Sequence, residues 1–390
     1  MKLISFYLPQ FHRIPENDEW WGEGFTEWVN VRKAEPLFEG HNQPRVPQGE
    51  NYYNLLDVET LRWQAAIARQ NHVWGFCFYH YWFGEKLLLG RPMEMLLENP
   101  DIDMPFCISW ANENWTNQWV SNSPRILIRQ EYGDAEEWRR HFDYLLPFFR
   151  DRRYIREGNR PVVVIYKPTN FERINEMIDC WNELARAAGF DGLCFLSQIS
   201  FQAQEESRFF EKIDYILDYE PTNTFIELTR ERNAVIKFVK HAIKRAAAKV
   251  NIDLEGKKLT TDVTHFAYRD IWEQLLARSP SADPALAARQ VPGCFVDWDN
   301  TPRKGRKGTV LDGACPDVFR ECLEKQVRHC KQDYRKDFMF LFAWNEWAEG
   351  GYLEPDETFG DGYLRAIRDT LESLDEVPDK TTASLDAAAG

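Results

Sequence analysis

Eight short apolar runs recur along the 390-residue chain, and helix-like segments separate several of them. The runs are Leu3–Leu8, Val73–Trp82, Pro105–Trp110, Pro161–Tyr166, Leu193–Ser200, Tyr215–Asp218, Gly293–Trp298 and Met339–Trp344. Most are continuously apolar rather than alternating, the pattern of parallel strands covered on both faces. Eight such strands alternating with helices predict an α/β fold, a (β/α)8 TIM-type barrel. A doubly wound open sheet is the competing fold. It wants a glycine-rich phosphate turn after an early strand, and the sequence shows none. In the barrel, Leu3–Leu8 is expected to pair with Met339–Trp344 and close the ring.

Helix signals fit this plan. Asp57 is placed to cap a helix with Val58, Leu61, Ala65 and Ala68 on one face, and Asp134 one carrying Trp138, Phe142, Leu145 and Phe149. Asn170 is expected to begin a third helix that ends at Gly189, and a last helix follows Gly362. Two segments depart from the regular alternation. Residues 11–56 form a long loop after strand 1, rich in Pro, Gly and aromatics, and expected to be ordered over the site. Residues 222–290 read as a helical insertion between strands 6 and 7. Within it, residues 230–249 carry a basic helix that is either a solvated face or a weak contact with an anionic membrane surface or glycan. The expected organisation is one catalytic domain over 1–375, followed by a flexible polar tail over 376–390.

Composition narrows the function classes. A net charge of −14 argues against nucleic acid as a partner. No run reaches the roughly 20 apolar residues of a membrane span. The start of the chain enters a strand directly and lacks a signal-peptide pattern, so a cytoplasmic location is expected. The eight cysteines include no CxxC pair and read as reduced core thiols. No cofactor is called for, and no spacing of acids singles out a metal site. The aromatic content is high, with 15 Trp, 15 Tyr and 26 Phe. Most should fill a core, but Trp residues inside polar runs suit the flat C–H faces of sugar rings.

Active sites of such barrels lie where the strands end. The eighth run leads directly into Asn345-Glu-Trp-Ala-Glu-Gly350. Two carboxylates leaving one buried strand between Trp residues suit a division into general acid and general base, so Glu346 and Glu349 are the candidate catalytic pair. The other exits supply candidate substrate-binding groups. They are Tyr7, Gln10 and His12 after strand 1, with Trp28 in the following loop; His80, Tyr81 and Trp82 from strand 2; Trp110, Asn112, Glu113 and Trp115 from strand 3; and Tyr166 from strand 4. Gln198, Asp218 and Glu220 follow from strands 5 and 6, Asp297 and Asp299 from strand 7, and Asn345 and Trp347 from strand 8. Trp28, Trp82, Trp115 and Trp347 are expected to line one cleft with His80 and Glu113.

Several of these runs together resemble one family. They are Phe6-Tyr-Leu-Pro-Gln-Phe-His12, Asn17-Asp-Glu-Trp-Trp-Gly22, Gly24-Phe-Thr-Glu-Trp28, Gly75-Phe-Cys-Phe-Tyr-His-Tyr-Trp82, Trp110-Ala-Asn-Glu-Asn-Trp115, Asp299-Asn-Thr-Pro-Arg303 and Trp344-Asn-Glu-Trp-Ala-Glu-Gly350. This set is similar to the WbsX family of bacterial surface-polysaccharide gene clusters, over roughly residues 2–370. That family is commonly labelled glycosyltransferase and is related to the family 99 glycoside hydrolases, the endo-α-mannosidases. The resemblance implies a (β/α)8 barrel, an oligosaccharide or polysaccharide substrate, and two catalytic glutamates that map onto Glu346 and Glu349. In the hydrolase relatives the first glutamate takes the proton of the sugar 2-hydroxyl. The second protonates the leaving oxygen and then activates water, through a 1,2-anhydro sugar with net retention. Ala348 stands where those relatives carry His. The expectation is a retaining endo-glycoside hydrolase or transglycosylase acting on a bacterial surface polysaccharide or its precursor. A glycosyltransferase of polysaccharide biosynthesis and a non-catalytic glycan-binding barrel are the alternatives.

Overall fold

The computed structural model of the chain describes residues 1–116, 125–198, 206–230 and 262–386. Its centre is a ring of parallel strands: β1 (Lys2–Tyr7), β2 (Val73–Phe83), β3 (Phe106–Trp110), β4 (Arg160–Ile165), β5 (Cys194–Ser197), β6 (Tyr215–Leu217), β7 and β8 (Phe338–Phe342). Strand β7 comes in two pieces, Gln290–Val291 and Gly293–Phe295, on either side of Pro292. The first pairs with β6 and the second with β8, so the break falls where the strand changes partner and proline has no N–H to give. The ring closes as expected, with Lys2, Leu3, Ile4 and Ser5 opposite Phe338, Met339, Phe340 and Leu341. Every residue of β1, β3 and β8 is buried, which is why these strands read as unbroken apolar runs.

The outer layer is helical. The connection after β1 carries α1 (Pro15–Trp21) and α2 (Glu27–Arg32) before the barrel helix α3 (Val58–Gln70). Thus the long loop contains two short helices that its sparse helix signals did not announce. Then follow α4 (Arg91–Glu98), α5 (Ala135–Arg150), α6 (Ile174–Ala187), α7 (Tyr268–Ala277), α8 (Pro316–Gln332) and α9 (Gly362–Ser373). Asp57 and Asp134 cap α3 and α5 as expected, each accepting from the backbone N–H two residues on at 3.0 Å. Asn170 does not begin α6. It ends a 3-10 turn, Pro168–Asn170, and the helix starts at Ile174. All eight cysteines are free thiols.

Among the described residues the insertion holds helices, α7 among them, and one strand. Its described parts include a helix over 222–230 and a strand, Thr264–Ala267, paired in parallel with Thr309–Asp312. Its last residue, Gln290, already belongs to β7. The basic segment 230–249 falls beyond Arg230 outside the described residues. No helix among the described residues is long and apolar enough to cross a membrane. The tail does not fray through Asp386. Leu385 is buried, and its N–H donates to the Arg156 carbonyl at 2.7 Å.

Candidate active site

Strand alternation decides which side chains reach the barrel mouth. Successive residues point to opposite faces, so one residue in two faces the barrel interior and the next faces the helices. Along β2, Tyr79 and Tyr81 turn inward, whereas His80 and Trp82 turn outward onto α5. Tyr79 and Tyr219 meet hydroxyl to hydroxyl at 3.1 Å inside the barrel. Gln198 donates to the Tyr79 hydroxyl at 2.8 Å and accepts from Ser109 at 2.6 Å. Tyr79, Tyr219 and Phe342 line a cleft of about 520 Å³ at the C-terminal end of the strands, with Gln198 and Ser109 behind them.

The chain leaves β8 and presents Glu346 and Glu349 to this cleft. A third carboxylate, Glu27 at the start of α2, and one guanidinium, Arg303, complete the charged centre. Arg303 Nη1 lies 2.9 Å from Glu349, and Nη2 lies 3.1 Å from both Glu346 Oε1 and Glu27. Arg303 Nε also donates to Glu27 at 3.3 Å. One cation thus serves three acids. Burial opposes the Arg303 charge, but the three carboxylates outweigh it and hold the guanidinium well above its usual range. Burial pushes the Glu346 carboxyl well up; Arg303 opposes this, while Glu349 and Glu27 reinforce it.

The turn that carries the pair is anchored from both sides. Gly350 takes φ +74°, and a Cβ there would lie 2.7 Å from the Asp299 nitrogen. That nitrogen donates to the Glu349 carbonyl at 2.7 Å, and Arg45 donates to the Gly350 carbonyl at 3.2 Å. Behind the turn, buried Glu354 accepts from Trp344, Trp347, Tyr53 and Gln64 at 2.6–3.0 Å. Burial pushes the Glu354 carboxyl up to about 7, against these donors.

The walls are aromatic. Trp20, Trp21 and Phe25 come from α1 and the loop after it, Trp115 from the loop after β3, and Tyr166 from the end of β4. Trp115 meets Tyr81 and Trp20 edge-on at 5.0 and 5.6 Å. Of the residues expected from sequence, Gln10, Tyr81, Glu113, Trp115, Tyr166, Glu346 and Glu349 line the cleft. Gln10 donates to the Tyr81 hydroxyl at 2.6 Å, and Glu113 lies 3.6 Å from Lys167.

The others serve the frame. Tyr7 alternates outward from Phe6 and donates to Gln64 of α3 at 2.7 Å. His80 and His141 of α5 meet nitrogen to nitrogen at 2.9 Å, and burial pulls His80 down to about 3. Trp82 stacks on His141 at 4.4 Å, and Trp110 donates to the Trp82 carbonyl at 3.1 Å. His12 is buried, and that burial lowers it to about 4. Trp28 and Trp347 pack on each other at 5.5 Å, with indole nitrogens donating to the Tyr53 carbonyl and to Glu354. Of the four Trp residues expected in one cleft, only Trp115 lines it. The platform comes instead from Trp20 and Trp21.

Asn112 and Asn345 are backbone clamps. Asn112 exchanges two hydrogen bonds with Lys167 at 2.8 and 2.9 Å, and Asn345 two with Leu8 at 2.8 and 3.0 Å. Gln198 sits behind Tyr79 and does not line the cleft. Asp218 and Glu220 face Arg278 outside the cleft. Asp297 pairs with Arg45 at 2.8 Å, and Asp299 accepts from His41, Gln43 and Thr301. Sequence reasoning missed Glu27, Arg303, Glu354 and the Trp20–Trp21 wall. Glu27, Trp20 and Trp21 lie in the conspicuous aromatic runs and Arg303 in the run Asp299–Arg303, and those runs were the available signal. No group of three or more His, Cys, Asp or Glu side chains suited to a metal ion occurs among the described residues.

Comparison with known proteins agrees with this architecture. The endo-alpha-mannosidase of glycoside hydrolase family 99 from Bacteroides thetaiotaomicron superposes with a TM-score of 0.56 at 15% identity, covering 96% of this chain and 98% of that one. A structure described as a glycoside hydrolase-like protein gives 0.57 at 12% identity, over 95% and 93% of the two chains. At such identities the likeness is one of fold. Two curated relatives named "Uncharacterized protein WxcX" come from Xanthomonas campestris pv. campestris. They are 33% and 34% identical over 382 residues, 97% of this chain and 50% of theirs. The chain therefore spans about half the length of those relatives. The family model described as Glycosyltransferase WbsX matches residues 3–367, and the chain belongs to that family.

Proposed function

We propose that the chain is a carbohydrate-active enzyme that cleaves or transfers glycosidic bonds of a bacterial surface polysaccharide or its precursor, with retention. The observation that carries this reading is the placement of Glu346 and Glu349 on one guanidinium in an aromatic-walled cleft. In the proposed reaction, Glu346 accepts the 2-hydroxyl proton as O2 attacks C1 of the same sugar. Glu349 gives its proton to the leaving oxygen as the C1–O bond breaks. Glu349 then takes a proton from the water, or acceptor hydroxyl, that opens the anhydro ring, and Glu346 returns its proton to O2.

The family's printed description favours a second reading, transfer from an activated donor. The cleft charge speaks against a diphosphate donor, because among the described residues Glu27, Glu113, Glu346 and Glu349 face it against Arg303 and Lys33 as lining cations. The test is incubation with surface-polysaccharide oligomers, with and without nucleotide sugars. Hydrolase or transglycosylase action shows as fragments or rearranged chains without nucleotide. A strict requirement for nucleotide sugar establishes the transferase instead. Glu349→Gln should slow poor leaving groups by about 10²–10⁴-fold and good ones far less, whereas Glu346→Gln should slow both alike. Full activity in both variants removes the pair from catalysis.

A further inference from the structure

The charged centre of the cleft is not balanced. Three carboxylates converge on Arg303, and their distances to it are unequal in quality. Glu349 has Nη1 at 2.9 Å. Glu27 has both Nη2 at 3.1 Å and Nε at 3.3 Å, and Asn30 donates to it at 3.4 Å. Glu346 shares Nη2 with Glu27. Its Oε1 is 3.1 Å from that nitrogen but out of hydrogen-bonding alignment and without any other partner, and its Oε2 is 3.4 Å away. Glu346 is also the most buried of the three, with 5% of its side chain exposed against 11% and 13%. A buried carboxylate oxygen that faces a cation but accepts no aligned hydrogen bond is costlier to charge than one that accepts such a bond.

We propose that Arg303 and Glu27 together leave a proton on Glu346 in the free protein. Nη1 is committed to Glu349, and Glu27 draws Nη2 and Nε away from Glu346. Arg303 is thus a positioning residue: it acts through the glutamates by choosing which of them is neutral.

The neighbours on the other elements do not undo this choice. Tyr81 of β2 faces Glu346, and Tyr166 and Tyr219 of the β4 and β6 exits face Glu349; all three phenols are raised, chiefly by burial, and stay neutral. Lys304 lies beside Glu349, with its charge weakened first by burial. Burial, with Glu349 and Glu27 as like charges, raises Glu346 against Arg303, in agreement with the geometry.

The assignment of the proton stands without the catalytic reading; its consequence for turnover rests on that reading. If Glu346 is the base, a proton held on it is the opposite of the state in which it works. Glu346 must then give up its proton before it can take one from the sugar 2-hydroxyl.

Carboxyl ¹³C NMR of protein labelled at glutamate Cδ tests the assignment without any substrate. Glu346→Gln identifies the Glu346 resonance. In the otherwise unaltered protein, Glu346 should titrate well above the ordinary carboxylate range. Glu27→Gln removes one negative neighbour and frees Nη2, so it should lower the Glu346 midpoint by about one pH unit or more. Arg303→Lys keeps the charge but loses the fork, and should move the midpoint as well. An ordinary midpoint for Glu346, or one that Glu27→Gln leaves in place, overturns the proposal. Glu27→Gln is nearly isosteric and carries the test if the Arg303 variant does not fold. Loss of activity in the glutamate variants judges the proposed function separately.

Discussion

Asp299 shows how one side chain sets the geometry of another. Burial works against its charge, but His41, Arg45, Thr301 and Gln43 outweigh it, and the carboxyl is held down at about 2. A depressed folded value stabilises above the unfolded value and is lost as pH falls through the folded one. The contribution, about 2 kcal/mol, is complete above about pH 5 and is lost as pH falls through about 2. Asp299→Asn should therefore unfold at lower urea at pH 7, and the gap from the unaltered protein should narrow as pH falls towards 2. The Trp residues divide at the same scale. Trp28 and Trp347 are buried behind the turn, so Trp→Ala there should cost about 3–5 kcal/mol of stability in denaturant titrations. Trp20 and Trp115 line the cleft, so Trp→Ala there should weaken glycan binding by about 1–3 kcal/mol in calorimetry and cost less stability.

Elements explain why some of this was legible in the sequence and some was not. Strands buried on both faces announce themselves as apolar runs, and β1, β2, β3 and β8 lie where those runs lie. A run without alternation hides which residue faces inward. Tyr7, His80 and Trp110 therefore read as site residues although they point at helices. Loop Trp residues pose the same problem, since polar neighbours do not tell which way a loop folds. Glu27 and Arg303 meet across 276 positions, and no local pattern carries such a pair. The Glu346–Glu349 turn was legible because both acids come from one strand exit. Close strand packing adds a requirement of its own at β7. A Cβ on Gly293 would lie 2.0 Å from the Asp218 carbonyl, so β6 and β7 fit only around glycine. Gly293→Ala should cost about 3 kcal/mol or more, read by urea unfolding, because the obstacle is backbone that must shift.

Residues 376–386 pack against the start of β1 and the strands beside it, at the bottom of the barrel. The Met1 amino group bonds the Glu376 carbonyl at 2.6 Å. The Trp74 indole donates to the Asp379 carbonyl at 3.0 Å, and Lys2 Nζ to the Leu385 carbonyl at 3.1 Å. Arg156 exchanges backbone bonds with Ala383 and Leu385, adding a short parallel pairing beside β4. Polar, Ala-rich composition reads as a frayed end because little apolar area is visible in it, yet Leu385 supplies one anchor and the backbone supplies the rest. Such a segment is ordered only if its contacts beat an ordering cost of about 1–2 kcal/mol per residue, so the anchor should matter more than its size suggests. Leu385→Ala should lower stability by about 2–4 kcal/mol, the range for a buried leucine. Ending the chain at Asp375 should cost at least as much, since it also strips acceptors from the Trp74 indole and the Lys2 ammonium. Urea unfolding of both variants measures this. Unchanged midpoints in both would mean that the tail hangs free in solution and that β1 and β8 close the barrel unaided.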